Sequence, residues 1–399
     1  MSTNNYNFTK CTLMHKNIPV ANIELTKRTG AIVAVTEILN IKHAPLTTTD
    51  KNGINSIKLD DWLRTRTIPA SRQNITRLMQ DLDITTPVAL ALQSYGLSLS
   101  DQYWVRPLNL DVQWEDINFF QNDFSDDIGR ILFSEKSSSD PNINVQSPDN
   151  TSDGLLPKRW TIQNGKRILI KGHDSKNQLQ QEPFNEVIAT KIMEKLKINH
   201  IPYSQIFIDN KPYSLCENFI TEDTELITAW SISRNFKREN HISEYDHLLA
   251  SCEQLGIKDA HQAIEEMLVL DYLIANTDRH YGNFGFIRNA STLEYQGFAP
   301  IYDSGSSLWC GGEIISNIVD SKPFKNRHSS QIKLVTDLSW FQPIPKQELT
   351  TIITETLSNN APITDVRVGI SQERIALIAE KATQRFDFVT KLQQELAKK

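Results

Sequence analysis

Apolar and polar residues alternate on both sides of a short polar break near the start of the chain. Thr12-Leu13-Met14 and Val20-Ala21-Asn22-Ile23-Glu24-Leu25 flank Lys16-Asn17, and a period of two predicts a hairpin. The Ile- and Val-rich stretch from Ile32 to Ile41 predicts a further strand or a short helix. Asp60-Asp61 is placed to cap a helix through Trp62-Leu63. Ser71 is placed to cap another over Asn74 to Leu82, with Ile75, Leu78 and Met79 at helical spacing. Residues 134–153 turn polar and rich in Ser, Asn, Asp and Pro, the mark of a linker or mobile loop with a domain boundary near 130. Strands return at Trp160–Ile162 and Arg167–Lys171 around Asn164-Gly165, the strongest short hairpin signal. Phe184 to Lys197 carries Val187, Ile188, Ile192 and Leu196 on one helical face. Two more strands, Ser204–Ile208 and Tyr213–Phe219, are joined by Asp209-Asn210-Lys211-Pro212. Beyond 222 the pattern is helical except for strands at 284–288 and 298–302. The last helix, Ser371 to Leu396, repeats Ile375, Ile378, Ala382, Phe386 and Val389 behind an N-cap serine.

Hairpin, helix, hairpin and then helices is the element order of a kinase-type small lobe followed by a helical lobe. The chain reads as α+β, and a two-lobed, protein-kinase-like fold is what the family resemblance carried by the motifs below implies. A small, mixed, β-rich N-lobe would cover 154–221 and a helical C-lobe 222–399. An N-terminal α+β accessory domain over 1–130 and the polar segment 131–153 would precede them.

Bulk composition narrows the classes. Of the 399 residues, 39% are hydrophobic and 23% charged, with a net charge of −6. That balance gives no general pull toward nucleic acid or anionic lipid. No apolar run approaches the roughly 20 residues that span a bilayer. The start, Met1 to Asn5, is polar and lacks a signal-peptide core. Cys11, Cys216, Cys252 and Cys310 form no CxxC pair and read as reduced, buried thiols of a cytoplasmic protein. The histidines include no HExxH pair, which argues against a zinc site.

The chemistry concentrates in Asn276-Thr277-Asp278-Arg279-His280-Tyr281-Gly282-Asn283 and Ile301-Tyr302-Asp303. An amphipathic helix, His261 to Ala275, delivers the first segment, and a hairpin separates it from the second. An aspartate, then an asparagine and a second aspartate across a hairpin, form a phosphoryl-transfer pattern. Asp278 is suited to receive a hydroxyl proton, and Asn283 and Asp303 to hold magnesium, which takes few protein oxygens and keeps much of its water. His280 either orients Asp278 or a phosphate, or is structural. Arg279 either pairs with a phosphorylated loop residue or faces solvent. Asp271 either satisfies loop amides or is functional. Arg64, Arg66, Arg72 and Arg77 form a locally basic stretch, a docking patch or an ordinary solvated helix face. Trp104, Trp114, Phe119, Phe120 and Phe124 read as packing of the N-terminal segment onto the kinase body, with base stacking as the alternative.

These two segments resemble the catalytic and metal motifs of HipA-like serine/threonine kinases. The Asp-Arg-His-x-x-Asn form is also similar to the catalytic loop of phosphatidylinositol kinases. The upstream segment favours the first: Thr151-Ser152-Asp153-Gly154-Leu155-Leu156-Pro157-Lys158-Arg159-Trp160 resembles the HipA-type phosphate loop. Lys171 matches that family's strand lysine, Asn185-Glu186 the start of its next helix, and Cys216-Glu217-Asn218-Phe219 its hinge. The resemblance spans roughly 150 to 390. It implies ATP and Mg2+ as cofactors, with the phosphates held by Thr151, Ser152, Asp153, Gly154, Lys158 and Lys171. It implies adenine on Glu217, Asn218 and Phe219, metal on Asn283 and Asp303, and Asp278 as base, with His280 beside it. It also implies a protein substrate with an acceptor Ser or Thr, autophosphorylation of the phosphate loop at Ser152 or Thr151, and a toxin-type kinase with an antitoxin or regulatory partner. Two departures stand out. The first 125 residues do not match the short N-terminal domain of the prototype, and Asp153 puts a negative charge in a loop that would face phosphates. A lipid kinase and a non-catalytic kinase-fold module are the rival readings.

Overall fold

The computed structural model describes residues 10–72, 74–133, 143–154, 156–174, 179–314, 319–359 and 370–398. The chain divides into two compact units. The first comprises 1–170, 217–226 and 288–294; the second comprises 171–216, 227–287 and 295–399.

The first unit is built on an antiparallel sheet. Strands β1 (Lys10–His15) and β2 (Ile18–Leu25) form the expected hairpin, with Lys16 in the left-handed region at φ 50°. The Ile/Val stretch is a strand, β3 (Ile32–Ile38), and β4 (Tyr103–Pro107) pairs with β1 on the other side. Cys11, Leu13, Val20, Ile23 and Leu25 of the sheet bury against Leu59, Leu63, Val88 and Leu92. Burial of such side chains supplies the main driving force, about 1.5–3 kcal/mol each.

Helix α1 (Ser56–Thr65) is capped by Asn55, whose side chain accepts from the N–H groups of Ile57 and Lys58. Asp60 and Asp61, expected as the cap, lie inside the helix; Asp60 instead accepts from Ile32 N at 2.7 Å and pairs with Arg64 at 2.6 Å. Helix α2 (Ile75–Asp81) is entered through Asn74 at φ 65°, not through a Ser71 cap. The basic stretch is no patch: Arg66 pairs with Asp101 and Arg72 is only 3% exposed. The aromatic run is core of this unit. Trp104, Trp114 and Phe119 pack with Met14, Leu97 and Leu99, and Phe120, Phe124 and Trp160 lie against them.

A charged cluster is also buried in this unit. Glu225 accepts from Arg288 Nε at 2.8 Å and sits 3.3 Å from His15 Nε2. Nδ1 of His15 is 2.8 Å from Nδ1 of His43, and its ring stacks on Tyr103. Burial works to raise the Glu225 pKa, but His15 and Arg288 outweigh it and hold the carboxyl below its usual value.

Residues 134–142, part of the expected linker, lie outside the described residues. Its remainder is largely buried: Ser147 caps a short helical turn, Pro148–Thr151, and Ser147, Asp149 and Asn150 are fully buried, while Asn144 and Asp153 are exposed. Hydrogen bonds offset much of the cost: Ser147 Oγ donates to Asp149 at 3.2 Å, Asp149 accepts from Trp160 N at 2.9 Å, and Asn150 Nδ2 donates to Val145 O at 2.7 Å. Strands β5 (Lys158–Gln163) and β6 (Lys166–Lys171) then turn at Asn164 and Gly165, both at positive φ as a two-residue hairpin requires.

In the second unit helix α3 (Glu182–Leu196) ends at Lys197, φ 59°. Strands β7 (Ser204–Ile208) and β8 (Lys211–Glu217) pair antiparallel, and the turn is just Asp209-Asn210, both left-handed. Lys211 and Pro212, read as turn, belong to β8. Strand β9 (Thr224–Thr228), whose first three residues belong to the first unit, was not anticipated. Its inward Glu225 breaks the apolar alternation that marks strands. Helices α4 (Glu244–Gln254) and α5 (Ala260–Leu273) precede β10 (Gly285–Asn289) and β11 (Tyr295–Phe298). The strand expected over 298–302 thus ends where it was placed to begin. Helices α6 (Lys346–Ser358) and α7 (Gln372–Leu396) pack together, α7 with the predicted Ser371 cap. Among the described residues no helix is long and apolar enough to cross a membrane.

Candidate active site

The site in the second unit grows from the end of α5. Asp271 sits on the last turn, 1% exposed, and receives three N–H contacts from Arg279 at 3.1–3.2 Å. It also accepts from Asn276 Nδ2 at 2.8 Å. Asn276 in turn accepts from Asp278 N at 3.1 Å through Oδ1, and its carbonyl accepts from His328 Nε2 at 2.8 Å. Burial pushes the His328 pKa down to about 3, with Arg385 adding to the effect, so its ring is neutral. Each bond pins one residue of the loop.

Arg279 is the knot. It is fully buried, neither surface charge nor phosphate partner. One nitrogen, Nη1, donates to Asn283 O at 2.8 Å and to Tyr302 O at 2.5 Å, while Nη2 reaches Ser304 Oγ at 3.0 Å. Two carbonyls on one nitrogen are necessarily close, so the Asn283 loop and the Tyr302-Asp303 segment meet here. Burial alone would lower the Arg279 pKa, but Asp271 more than reverses that and it lies raised. The sequence does hold the signal, an acid eight positions before a motif arginine, but nothing local says that the pair is buried.

Asp303 does not end a strand. It follows a bridge between Ile301 and His200 and takes φ 58°. Its segment runs beside the 276–283 loop and the end of α5: Thr277 N donates to Ser306 O at 3.0 Å and Leu308 N to Ile274 O at 2.7 Å. Lys171, 5% exposed, places Nζ 2.5 Å from both Asp303 Oδ1 and Glu186 Oε1. Burial disfavours its charge, yet Asp303 and Glu186 prevail and its pKa is raised. The other oxygen of Glu186 accepts from Ser304 N at 2.9 Å. Asn185 Nδ2 donates to the carbonyls of Gly305 and Ser307 at 2.8 and 2.7 Å. Lys171, Asn185, Glu186, Asp303, Asn283 and Asp278 are therefore linked through adjoining hydrogen bonds.

Asn283 donates Nδ2 to Asp278 O at 3.0 Å, which aims its side-chain oxygen elsewhere. Oxygen of an amide and of a carboxylate is the donor type that magnesium takes. Among the described residues no three His, Cys, Asp or Glu side chains converge as a metal cage. By donor type alone, Asn283 and Asp303 fit an ion that draws its remaining ligands from phosphate and water. Asp278 is half-buried, with Oδ1 2.7 Å from Lys322 Nζ. His280 is exposed, and its Nδ1 accepts from Gly282 N at 3.1 Å rather than meeting the Asp278 carboxylate.

The remaining predicted residues lie in the first unit. Thr151 Oγ1 donates to Leu97 O at 2.6 Å and to Pro148 O at 3.2 Å. Ser152 is buried and gives its carbonyl to Arg72. Gly154 O accepts from Arg72 Nε and Nη2 at 2.8 and 2.6 Å. At φ 95° Gly154 sits so close to Lys158 that a Cβ would fall 2.6 Å from its Nζ. Asp153 is exposed and its carboxylate accepts from Gly154 N, so the unexpected charge serves the turn itself. Leu155 lies outside the described residues. Burial lowers the Arg72 pKa to about 10, with Asp149 and Asp153 opposing, so it stays charged; burial lifts Asp149 to about 7. In the hinge segment Glu217 pairs with Lys166 at 2.7 Å on the surface. Asn218 gives its N–H to Arg167 O at 2.8 Å and its side chain to Leu99 O and Ile220 O, while Phe219 adjoins it. Sequence reasoning missed Lys322 altogether and read Arg72 only as surface. The four cysteines are free, three buried and Cys310 half-buried, and burial pushes each thiol up to about 12.

The α+β fold and these motifs define a protein of the kinase-fold class. Residues 150–383, more than half of the chain, match the family model described as the HipA-like C-terminal domain, and the chain belongs to that family. Among curated proteins it is 28% identical over 132 residues to the serine/threonine-protein kinase CtkA of Helicobacter pylori strain J99. That match takes in 32% of this chain and 40% of the relative. Among solved structures, HipA of Shewanella oneidensis MR-1, from a toxin–antitoxin complex with HipB and operator DNA, aligns at TM-score 0.56 and 13% identity. The alignment covers 94% of this chain and 96% of that one, and it shows the shared fold. The crystal structure of the proinflammatory kinase CtkA of H. pylori aligns at TM-score 0.45 and 19% identity, over 60% of this chain and 95% of that one.

Proposed function

We propose that this chain is an ATP- and Mg2+-dependent serine/threonine protein kinase of the cytoplasm. The observation that carries the reading is the Arg279 knot, which brings the Asn283 loop and the Asp303 segment to one guanidinium, with Lys171 bound to Asp303. Magnesium, when bound, would neutralise the phosphate oxygens. Asn283 and Asp303 would hold it, and Lys171 would meet the phosphates. In the reaction the acceptor hydroxyl oxygen bonds to the γ-phosphorus as the bond to the β-bridging oxygen breaks. ADP leaves with that electron pair, and the hydroxyl proton passes to Asp278. The roles of the 151–158 loop on the phosphates and of Glu217–Phe219 on adenine rest on the sequence resemblance. Ser152 is the proposed autophosphorylation site in preference to Thr151, whose hydroxyl is committed to two carbonyls. A toxin-type role with an antitoxin-type partner is proposed on the likeness to the HipA fold.

The test uses purified protein, γ-labelled Mg-ATP, a serine-rich acceptor such as dephosphorylated casein, and lipid vesicles as a control. Transfer to protein and to Ser152 is expected. Asp278→Ala should lose about 10²–10⁴-fold of transfer while keeping nucleotide binding. Asp303→Ala should lose magnesium-dependent binding by calorimetry. Full transfer by Asp278→Ala, or label on lipid alone, overturns the reading.

A further inference from the structure

Lys322 lies outside every motif, yet it makes the 2.7 Å ion pair with the Oδ1 atom of Asp278. Its backbone is fixed by a separate device. Gln331, 2% exposed, donates its amide to Lys322 O and accepts from Phe324 N at 3.1 Å and Lys325 N at 3.0 Å. Ser321 N donates to Asn326 O at 3.3 Å, and Arg327 pairs with Asp320. One buried side chain thus closes the 322–325 turn and aims the lysine at the aspartate. The lysine side chain is 52% exposed and the aspartate side chain 43%. An ion pair so wet contributes little to stability, so folding alone does not account for so constrained a turn.

We infer that Lys322 is a positioning residue for phosphoryl transfer, acting through Asp278; this rests on the kinase reading above. Two anions must approach one hydroxyl oxygen, the carboxylate from the proton side and the γ-phosphoryl group from the other. A cation on Oδ1 offsets their repulsion. It also fixes the carboxylate plane, so that Oδ2 is presented to the hydroxyl. The proton still goes to Asp278, and Lys322 neither gains nor loses one.

The test compares full-length wild type, Lys322→Met, Lys322→Arg, Lys322→Ala and Asp278→Ala with γ-labelled Mg-ATP, reading label on the chain itself and on dephosphorylated casein. Lys322→Met should lower kcat by about tenfold to a hundredfold, the usual cost of a misplaced catalytic group. Its KM for Mg-ATP should stay within about twofold, because only the step is affected. Lys322→Arg should recover most of the rate. Added ethylamine should restore part of the activity of Lys322→Ala and do nothing for Asp278→Ala, a response that a purely structural lysine would not give. Unchanged kcat in Lys322→Met overturns the inference and leaves the kinase reading standing. Raised kcat does the same, making the lysine a block on the acceptor site, as does a fall that neither arginine nor amine repairs. No transfer by the wild type removes both.

Discussion

Arg72 holds the carbonyls of Ser152 and Gly154 while itself buried among the residues of the first unit. Without the guanidinium those carbonyls and the neighbouring Asp149 lose their counter-charge, and the turn at Gly154 loses its anchor. On the proposed reading, in which the resemblance gives this turn the ATP phosphates, Arg72→Met should raise the KM for Mg-ATP about tenfold or more with a smaller change in kcat, and Arg72→Lys should do so less. Steady-state kinetics checks this; wild-type KM in Arg72→Met would show that the loop keeps its shape unaided. At this scale the sequence was readable wherever residue type and spacing carry the chemistry. Type and spacing name Asp278, Asn283 and Asp303, the family resemblance names Lys171, and hydrogen bonds connect the four within the second unit. Arg72, Arg279 and Lys322 were unreadable, because their work depends on partners 80, 8 and 44 positions away. Nothing local separates a buried arginine from a solvated one.

Elements were legible where a turn has its own chemistry. Asn164-Gly165 and Asp209-Asn210 supply the positive φ values that two-residue hairpins need. The Ser371 cap and apolar stripe gave α7 nearly to the residue. Strand β9 was lost because its buried glutamate reads as polar surface, and β11 was misplaced because the apolar residues after it are buried as loop, not strand. That loop stands because Arg279 ties it to the end of α5. Arg279→Met should cost about 3–5 kcal/mol of stability, since Asp271 is left buried and charged. Arg279→Met combined with Asp271→Asn should recover part of this, a non-additivity readable by denaturant titration.

Across the whole molecule two buried groups titrate with opposite sign. His328 has a folded pKa of about 3 against an ordinary 6.5, so the unfolded chain binds more protons between those values. Stability from its neutral ring is complete above 6.5 and lost as pH falls toward 3. Asp149, lifted to about 7 from 3.8, works the other way: its protonated form favours folding at low pH, and that help is lost as pH rises from 3.8 through 7. His328→Gln should make the melting temperature less sensitive to acid between pH 6.5 and 4, measured beside wild type in a buffer series. Equal slopes would mean that the ring titrates freely. The buried cluster of His15, His43, Tyr103, Glu225 and Arg288 carries a last consequence. Cutting the gene just ahead of the family-matched segment would strand an acid and a guanidinium with half their company gone. The opening hundred residues are thus masonry of the first unit, holding its later segments in place.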